Sequence, residues 1–224
     1  MKTYWLPVFL LFPILSFGQF TLGVQAGANY TAAHLSKHTS FNRVKGGVGW
    51  QGGVSANYQM HKLFVYSGLG VAQYRFSEGG DNWSYYHYSY RTLYLQVPAG
   101  IGYALPLQKT KSLMLYGGVQ GLLGIAGKSE QPQFYECYTS PCPQPTERTT
   151  KNIRFGRSDA YNGYESFAKT AANLQVGATI TLTPRLAAGA SYAWGITNAQ
   201  DFGDYVGTTS LRVLDVNVKY YLVK

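Results

Sequence analysis

Three groups of residues in this sequence have side chains and spacings that could support chemistry. The first is a pair of thiols, Cys137 and Cys142, in the segment YECYTSPCPQP. In an exported protein, two cysteines at this spacing favour a disulfide that closes a small loop. A metal site is the alternative, but two thiolates with no histidine beside them supply too few ligands. We therefore predict a disulfide between Cys137 and Cys142 and no metal site.

The second group combines an acid, a hydroxyl and an imidazole within DNWSYYHYSY, namely Asp81, Ser84 and His87. These are the components of a hydrolytic triad, which makes an enzyme one hypothesis. Catalytic groups usually come from separate elements of a fold, whereas these three lie in one short aromatic segment. We predict no catalytic residues and no cofactor, and the enzyme remains an alternative.

The third group is polar and recurs at alternate positions along several segments. Its members would point into the interior of a small barrel: Gln25, Gln51, Gln96, Gln120, Gln175, Asp215 and Lys219. Such side chains could line a gated polar channel, or they could fill the interior and stabilise it through hydrogen bonds. Because the interior of an eight-stranded barrel is just wide enough for side chains to fill, we favour the second hypothesis. Charges in that space need partners.

The elements that position these residues follow from a period of two. In FTLGVQAGANYT every even position is apolar or aromatic, and every odd position is small or polar. Alternate side chains of a strand point to opposite faces, so each such segment predicts a strand with one apolar and one polar face. Eight segments have this pattern, the third and fifth less cleanly: 20–31, 47–59, 63–76, 93–103, 112–126, 171–182, 186–197 and 212–222.

The N-terminus predicts export. Lys2 precedes the apolar run WLPVFLLFPILSF, which Pro7 and Pro13 interrupt, and small residues follow it. This arrangement is typical of a secretory signal peptide, whereas a membrane-spanning helix needs about 20 apolar residues. We predict a signal peptide over residues 1–18 and one β-barrel domain over residues 19–224.

Short and long connections alternate between the predicted strands. The short ones are residues 60–62, 106–111 and 183–185, and the long ones are residues 34–46, 77–90, 127–170 and 198–210. Short periplasmic turns and long extracellular loops are typical of outer-membrane barrels. The layout places both termini at the short-turn end and makes the loop of about 127–170 extracellular.

The composition indicates which face of the strands meets lipid. Charged residues make up 13% of the chain, whereas they make up roughly 25% of an average soluble domain. The polar face carries Gly, Gln, Asn, Ser and Thr, which suits a crowded interior better than a surface in water. Aromatic residues at several strand ends indicate the girdles of a membrane barrel. A soluble lipocalin-like barrel that binds a ligand inside, and a β-sandwich, remain the alternatives.

The aromatic segment before the fourth strand carries two further predictions. Trp83, Tyr85, Tyr86 and Tyr88 form part of an extracellular protein interface in this interpretation, because Tyr and Trp are enriched at such contacts. Pro98 lies within the strand itself and has no N–H for the ladder. We therefore predict a bulge or a missing hydrogen bond at Pro98.

Basic residues exceed acidic ones and give the chain a net charge of +9. We predict no nucleic-acid partner for a membrane barrel. Lys37, Arg43, Lys45 and Arg91 lie near the predicted outer rim and could contact outer-membrane lipid or the phosphates of lipopolysaccharide. Ordinary solvated turns are the alternative interpretation of these charges.

One strand also carries a recognisable motif. The segment LYLQVPAGIGY resembles the YLxIP…Y motif of the PorT-like small outer-membrane β-barrel proteins, and Pro98 stands at the proline of that motif. The segments FGQ and LGVQAGANYT near the N-terminus are also similar. The resemblance implies an eight-stranded outer-membrane barrel of a Gram-negative bacterium, with a link to protein secretion in some members. It implies no catalytic residues. The chain departs from the usual terminal aromatic residue, since it ends in YYLVK.

These observations together predict an all-β protein, an eight-stranded antiparallel up-and-down transmembrane β-barrel without enzymatic activity. Its predicted role is structural or interactive, as a membrane-embedded subunit or as a binding protein that acts through its surface loops. The predicted partners are outer-membrane lipid, lipopolysaccharide and a protein. An outer-membrane lipid-modifying enzyme and a soluble lipocalin-like barrel are the alternative functions.

Overall fold

The computed structural model shows an antiparallel sheet that closes on itself. It describes residues 19–35, 43–79, 87–108, 111–132, 148–156, 166–197, 200–201 and 208–223. Among these residues no helix is long and apolar enough to cross a membrane.

Twelve strands follow one another in the described parts of the chain. They are β1 (Gln19–Leu35), β2 (Arg43–Met60), β3 (Leu63–Gly79), β4 (His87–Gln108), β5 (Lys111–Pro132), β6 (Arg148–Asn152), β7 (Arg154–Phe155), β8 (Ser166–Phe167), β9 (Thr170–Thr181), β10 (Leu186–Gly195), β11 (Gln200–Asp201) and β12 (Thr208–Val223). The eight long strands β1, β2, β3, β4, β5, β9, β10 and β12 neighbour one another in chain order, and β12 also pairs with β1. Every one of these pairings is antiparallel. The predicted all-β, eight-stranded, up-and-down barrel is therefore confirmed.

Side chains of the long strands alternate between an exposed apolar face and a buried polar face. In β1 Val24 and Tyr30 are exposed, whereas Asn29 is buried. In β4 Ile101 is 68% exposed and Gln96 is 5% exposed. Apolar side chains on the outside and polar ones on the inside fit a lipid surrounding. A lipocalin-like barrel has the opposite arrangement, so that alternative is wrong.

Two of the predicted short turns are confirmed. Between β2 and β3, His61 adopts a left-handed φ of 58°, and Gln59 Nε2 donates a 2.8 Å hydrogen bond to the His61 carbonyl oxygen. Two-residue turns between antiparallel strands commonly need such a positive φ. Between β9 and β10, Thr183 Oγ1 accepts a 3.0 Å hydrogen bond from the Leu186 N–H. Both turns are closed by local contacts, which is why a short polar sequence is sufficient.

The strand pairing beside Pro98 is interrupted, as its missing N–H predicts. β3 pairs with β4 at Ser67↔Ala99 and resumes at Gly70↔Gln96 in an unchanged register. On the other side of β4, Pro98 keeps its place opposite residue 120 of β5. The proline therefore disturbs one ladder only, and the prediction of a locally missing hydrogen bond is confirmed without a bulge on the β3 side.

The sheet extends further at the long-connection end than the sequence predicts. β4 and β5 contain 22 residues each, whereas a transmembrane strand needs about 9–11. β5 continues to Pro132 and pairs with β6. The region of about 127–170, predicted as an extracellular loop, therefore contains strand at several places. The strands continue beyond the apolar band because their backbone N–H and C=O groups still pair with those of the neighbouring strands.

Candidate functional site

The outward face changes from apolar to polar partway along β3 and β4, and this change divides the barrel into two halves. In β3 Val65 and Leu69 are exposed on the outside, whereas Tyr74 and Phe76 are buried on the inside. We call the part near the short turns the inner half; its interior holds polar side chains together with the rings of Phe64, Tyr66, Tyr116 and Tyr221. The part near the long connections, with an aromatic interior, is the outer half. β4 makes the same change of face within a single strand.

All seven polar residues predicted for the interior lie on the inward face of their strands. Gln51, Gln96, Gln120, Gln175 and Asp215 are buried, and Gln25 and Lys219 are half-buried. The structure thus brings together residues from six strands that the sequence could only assign to one face. Closure of the sheet is what makes that face an enclosed interior.

A chain of hydrogen bonds joins three strands across the inner half. Gln175 Nε2 donates to Ser191 Oγ over 2.9 Å, and Ser191 Oγ donates to Asp215 Oδ2 over 3.4 Å. Close by, Asn173 Nδ2 donates to Gln120 Oε1 over 3.1 Å. Ser191 and Asn173 are not among the interior residues predicted from the sequence. Both stand at inward positions of alternating segments, which is the signal that would have identified them.

The two interior charges of β12 do not pair with each other. Asp215 and Lys219 stand four positions apart in one strand, and at about 3.3 Å per residue their side chains are too distant for an ion pair. Lys219 Nζ instead lies 5.5 Å from the centroid of the Tyr116 ring, in the range of a cation–π contact. Tyr116 itself packs edge-to-face on Tyr66 at 5.1 Å. Aromatic rings, rather than a carboxylate, accompany this half-buried cation.

Aromatic side chains of β3 and β4 fill the outer half. Tyr74 and Tyr94 pack with their ring centroids 5.6 Å apart, and Phe76 and Tyr90 pack at 5.0 Å. Gln96 connects this cluster to the inner half, since its Nε2 donates to the Tyr74 hydroxyl. The two fillings therefore touch, and they differ in chemistry.

Two short strands, β7 and β8, add further aromatic rings to the interior of the outer half. Phe155 packs edge-to-face on Tyr94 at 5.6 Å, and Phe167 does so on Tyr90 at 5.5 Å. Backbone hydrogen bonds hold these strands in place: Ile153 N–H to Gly127 O, Gly156 N–H to Phe167 O, and Gly124 N–H to Lys169 O, all between 2.8 and 2.9 Å. We call β7 and β8, which carry Phe155 and Phe167, together with Ile153 beside β7, the aromatic cap.

Gly124 of β5 shows how closely the cap is fitted. A Cβ atom at this position would overlap the ring of Phe155. A Cβ at Gly121 of the same strand would meet nothing nearer than the Val97 carbonyl oxygen at 3.8 Å. The lack of a side chain at Gly124 therefore leaves room for the Phe155 ring, whereas Gly121 makes no such contact.

The predicted aromatic interface needs one correction. Tyr88 is 7% exposed, and its ring stacks with that of Tyr90 at 6.5 Å. Tyr88 occupies an inward position of β4. Where the outside of the strand meets water, the hydrophobic effect favours burial of the aromatic ring in the interior. Trp83, Tyr85 and Tyr86 lie outside the described residues.

Other predicted features also lie outside the described part of the chain. These are the signal peptide of residues 1–18, the cysteines Cys137 and Cys142, and the Asp81 and Ser84 members of the candidate triad. His87 begins β4. The predictions for these residues stay predictions.

Comparison with known proteins adds a family. The family model for the outer membrane protein beta-barrel domain matches residues 14–201. No curated protein is significantly similar to the sequence.

Solved structures provide further comparisons. The attachment invasion locus protein Ail of Yersinia pestis, in complex with the heparin analogue sucrose octasulfate, is 12% identical, and the match covers 91% of this chain and 99% of that one with a TM-score of 0.44. Neisserial surface protein A is 13% identical, with coverage of 89% and 96% and a TM-score of 0.44. The outer membrane protease OmpT of Escherichia coli is 11% identical, with coverage of 92% and 96% and a TM-score of 0.36. Values this low carry no argument about function.

Proposed function

We propose that this chain, which belongs to the family of outer membrane protein beta-barrel domains, is a non-enzymatic, non-conducting barrel that binds partners at its outer end. Its place is the bacterial outer membrane. In this proposal the barrel is a membrane anchor, either a subunit of a larger assembly or a binding protein that acts through surface loops.

The observation that carries the proposal is the filling of the interior in both halves. Polar side chains such as Gln120 and Gln175 occupy the inner half together with the rings of Tyr66 and Tyr116. The aromatic cap with Tyr74, Tyr90 and Tyr94 occupies the outer half. A barrel of this width has no room for a solute path once its inward side chains are packed. The interior thus supports a stabilising role, which leaves the outer surface for binding.

We place the long-connection end outside the cell and the short turns in the periplasm. Strands that continue well beyond the apolar band support this orientation, since outer-membrane barrels carry their longer extensions on the extracellular side. The proposed protein contact includes Trp83, Tyr85 and Tyr86, whose ring types are enriched at interfaces. Basic residues at the same end are the proposed contact with lipopolysaccharide and outer-membrane lipid.

Finer assignments belong to this proposal as well. The motif around Pro98 supports placement among the PorT-like small barrels, and with it a link to secretion. A lipid-modifying enzyme at the rim is the alternative. It requires that His87→Ala changes the lipid profile of cells, and an unchanged profile would remove it.

The test is to identify what the barrel holds in native membranes. The tagged full-length protein is extracted in mild detergent without boiling, and the proteins that migrate with it are identified by mass spectrometry. We expect a stoichiometric protein partner in the wild type. The W83S/Y85S/Y86S variant should lose it.

A control variant changes two exposed residues at the opposite end, His61→Ser and Pro184→Ser. It should keep the partner. A barrel that always migrates alone would contradict the subunit proposal, and a partner that survives the triple substitution would exclude the aromatic segment as the contact.

A further inference from the structure

The outward face of the barrel turns from apolar to basic at one level. On β3 the outward positions run from Leu69 and Val71 to Arg75, which is exposed. On β4 the outward Leu93 is preceded by Arg91, and on β5 the outward Ala126 is followed by Lys128. Each cation is the first charged side chain beyond the apolar band of its strand.

Strand register places these three cations side by side. Arg75 pairs directly with Arg91, and Arg91 pairs directly with Lys128. Residues paired in this way have Cβ atoms about 4.5–5.5 Å apart, and like charges at that separation are destabilising. Within the described part of the chain none of the three forms an ion pair, and the Arg75 side chain donates through Nε to Gln73 Oε1 over 2.8 Å. An adjacent anion would relieve the repulsion.

The row borders a shallow cleft of about 260 Å³ on the outer surface. Ser77 and Ser89 contribute hydroxyl groups to its lining, and Glu130 contributes a carboxylate. The carboxylate of Glu130 lies 3.8 Å from Nη1 of Arg148, which offsets its charge. The cleft therefore offers hydroxyl donors next to three cations, a set of groups suited to phosphate oxygens.

We propose that Arg75, Arg91 and Lys128, the basic row, bind the phosphate groups of a phosphorylated glycolipid in the outer leaflet. The inference rests on the proposed orientation and names the lipid partner of that function. The row faces sideways from the barrel wall, directly above the apolar band, which is the level of lipid headgroups. The planar fork of arginine matches phosphate oxygens in pairs, and lysine adds a point charge. A soluble polyanion is the other source of the same chemistry, and the experiment separates the two.

Binding is measured on the full-length protein in phosphatidylcholine nanodiscs by native mass spectrometry. One batch contains bisphosphorylated lipid A, and a second contains dephosphorylated lipid A. We expect the wild type to retain only the phosphorylated form. The R75Q/R91Q/K128Q variant should retain it at least about tenfold less, because several charge-assisted hydrogen bonds are lost. Unboiled electrophoresis verifies that each variant is folded.

The control variant K62Q/K111Q/R185Q removes the same net charge from exposed residues at the opposite end. It should bind lipid A like the wild type. Equal retention by the row variant and the wild type would overturn the proposal, and so would equal retention of the dephosphorylated lipid. Inorganic pyrophosphate is added to plain nanodiscs as the soluble probe. Pyrophosphate binding without lipid A retention would overturn the assignment to a lipid.

Orientation is measured separately, with an epitope tag inserted after Gln144 and detected by antibody on intact cells. A tag on the cell surface with no retention of lipid A refutes the basic row and leaves the proposed function standing. A tag that is hidden on intact cells and exposed after lysis refutes both.

Discussion

The inner and outer halves of the barrel interior are filled by different means. In the inner half seven of the eight long strands supply polar side chains, and β3 supplies Phe64 and Tyr66. Contacts such as Gln175 to Ser191 join neighbouring strands. In the outer half the strands supply tyrosines, and a separate segment adds Phe155 and Phe167. The same strands run through both halves, so the cause of the difference lies outside the barrel.

The surroundings explain this difference. Lipid accepts apolar side chains on the outside of the inner half, so the polar side chains of those strands turn inward, where Gln175, Ser191 and Asp215 bond to one another. Beyond the apolar band the surroundings are aqueous, and the hydrophobic effect drives the aromatic rings inward. The comparison therefore predicts that the outer filling can be lost locally, whereas damage to the inner filling weakens the whole barrel.

The largest effect is expected from removal of the cap rings. The F155A/F167A variant loses the buried ring of Phe167 and the partly buried ring of Phe155, and a Phe→Ala change in a core costs about 3–5 kcal/mol. The cap should detach while the eight long strands stay paired. Amide hydrogen exchange of residues 148–156 should accelerate by about 100-fold or more. V97A, at a lipid-facing position, is the control and should leave that exchange unchanged. Equal acceleration along β1 and β12 would refute a separable cap.

An intermediate effect is expected at Gly124, where the Phe155 ring of the aromatic cap packs against β5. G124A should displace the Phe155 ring and cost about 1–3 kcal/mol, as overpacking does. G121A on the same strand meets no close neighbour and should be near neutral. The measurement is the protease sensitivity of residues 148–156 in the two variants. Similar sensitivity of both would mean that the ring does not depend on Gly124.

A smaller but global effect is expected in the inner half. S191A removes the hydroxyl that accepts from Gln175 and donates to Asp215. Buried polar groups left without partners cost about 1–3 kcal/mol. The free energy of unfolding of the whole barrel in urea should fall by that amount, with unchanged exchange in the cap. S67A, at an exposed outward position, is the control. A cap that opens in S191A would show that the halves are not independent.

Much of the fold could be predicted because its signal is local. Alternation from Phe20 to Tyr30 identifies β1 without knowledge of any partner, and short turns such as residues 61–62 and 182–185 divide the strands. The inward direction of Gln120 and Asp215 followed from the same alternation. The structure adds the pairing of β12 with β1, which closes the sheet and places those inward positions in one interior.

The outer half could not be predicted by the same rule. The sequence predicts that apolar strand positions face lipid and that Tyr88 lies in a surface interface, but beyond the apolar band the aromatic rings point inward. In this part of β4 the side chains of Tyr88 and Tyr90 point inward, and the side chain of Arg91 points outward. One signal of this change is present in the sequence: in β3 the large apolar residue Leu69 has an odd number, whereas Phe76 has an even number and therefore lies on the opposite face. The position of Phe167 has no such signal, because it depends on a contact far along the chain.

The measurement that tests the filled interior most directly is the ion conductance of the purified wild-type barrel in planar lipid bilayers. We predict no discrete open-channel steps at any voltage that the bilayer withstands, and the same result for F155A/F167A, because the inner half remains filled when the cap is lost. Stable, ohmic single-channel conductance in the wild type would contradict the account, since it requires a continuous water path that these side chains do not leave.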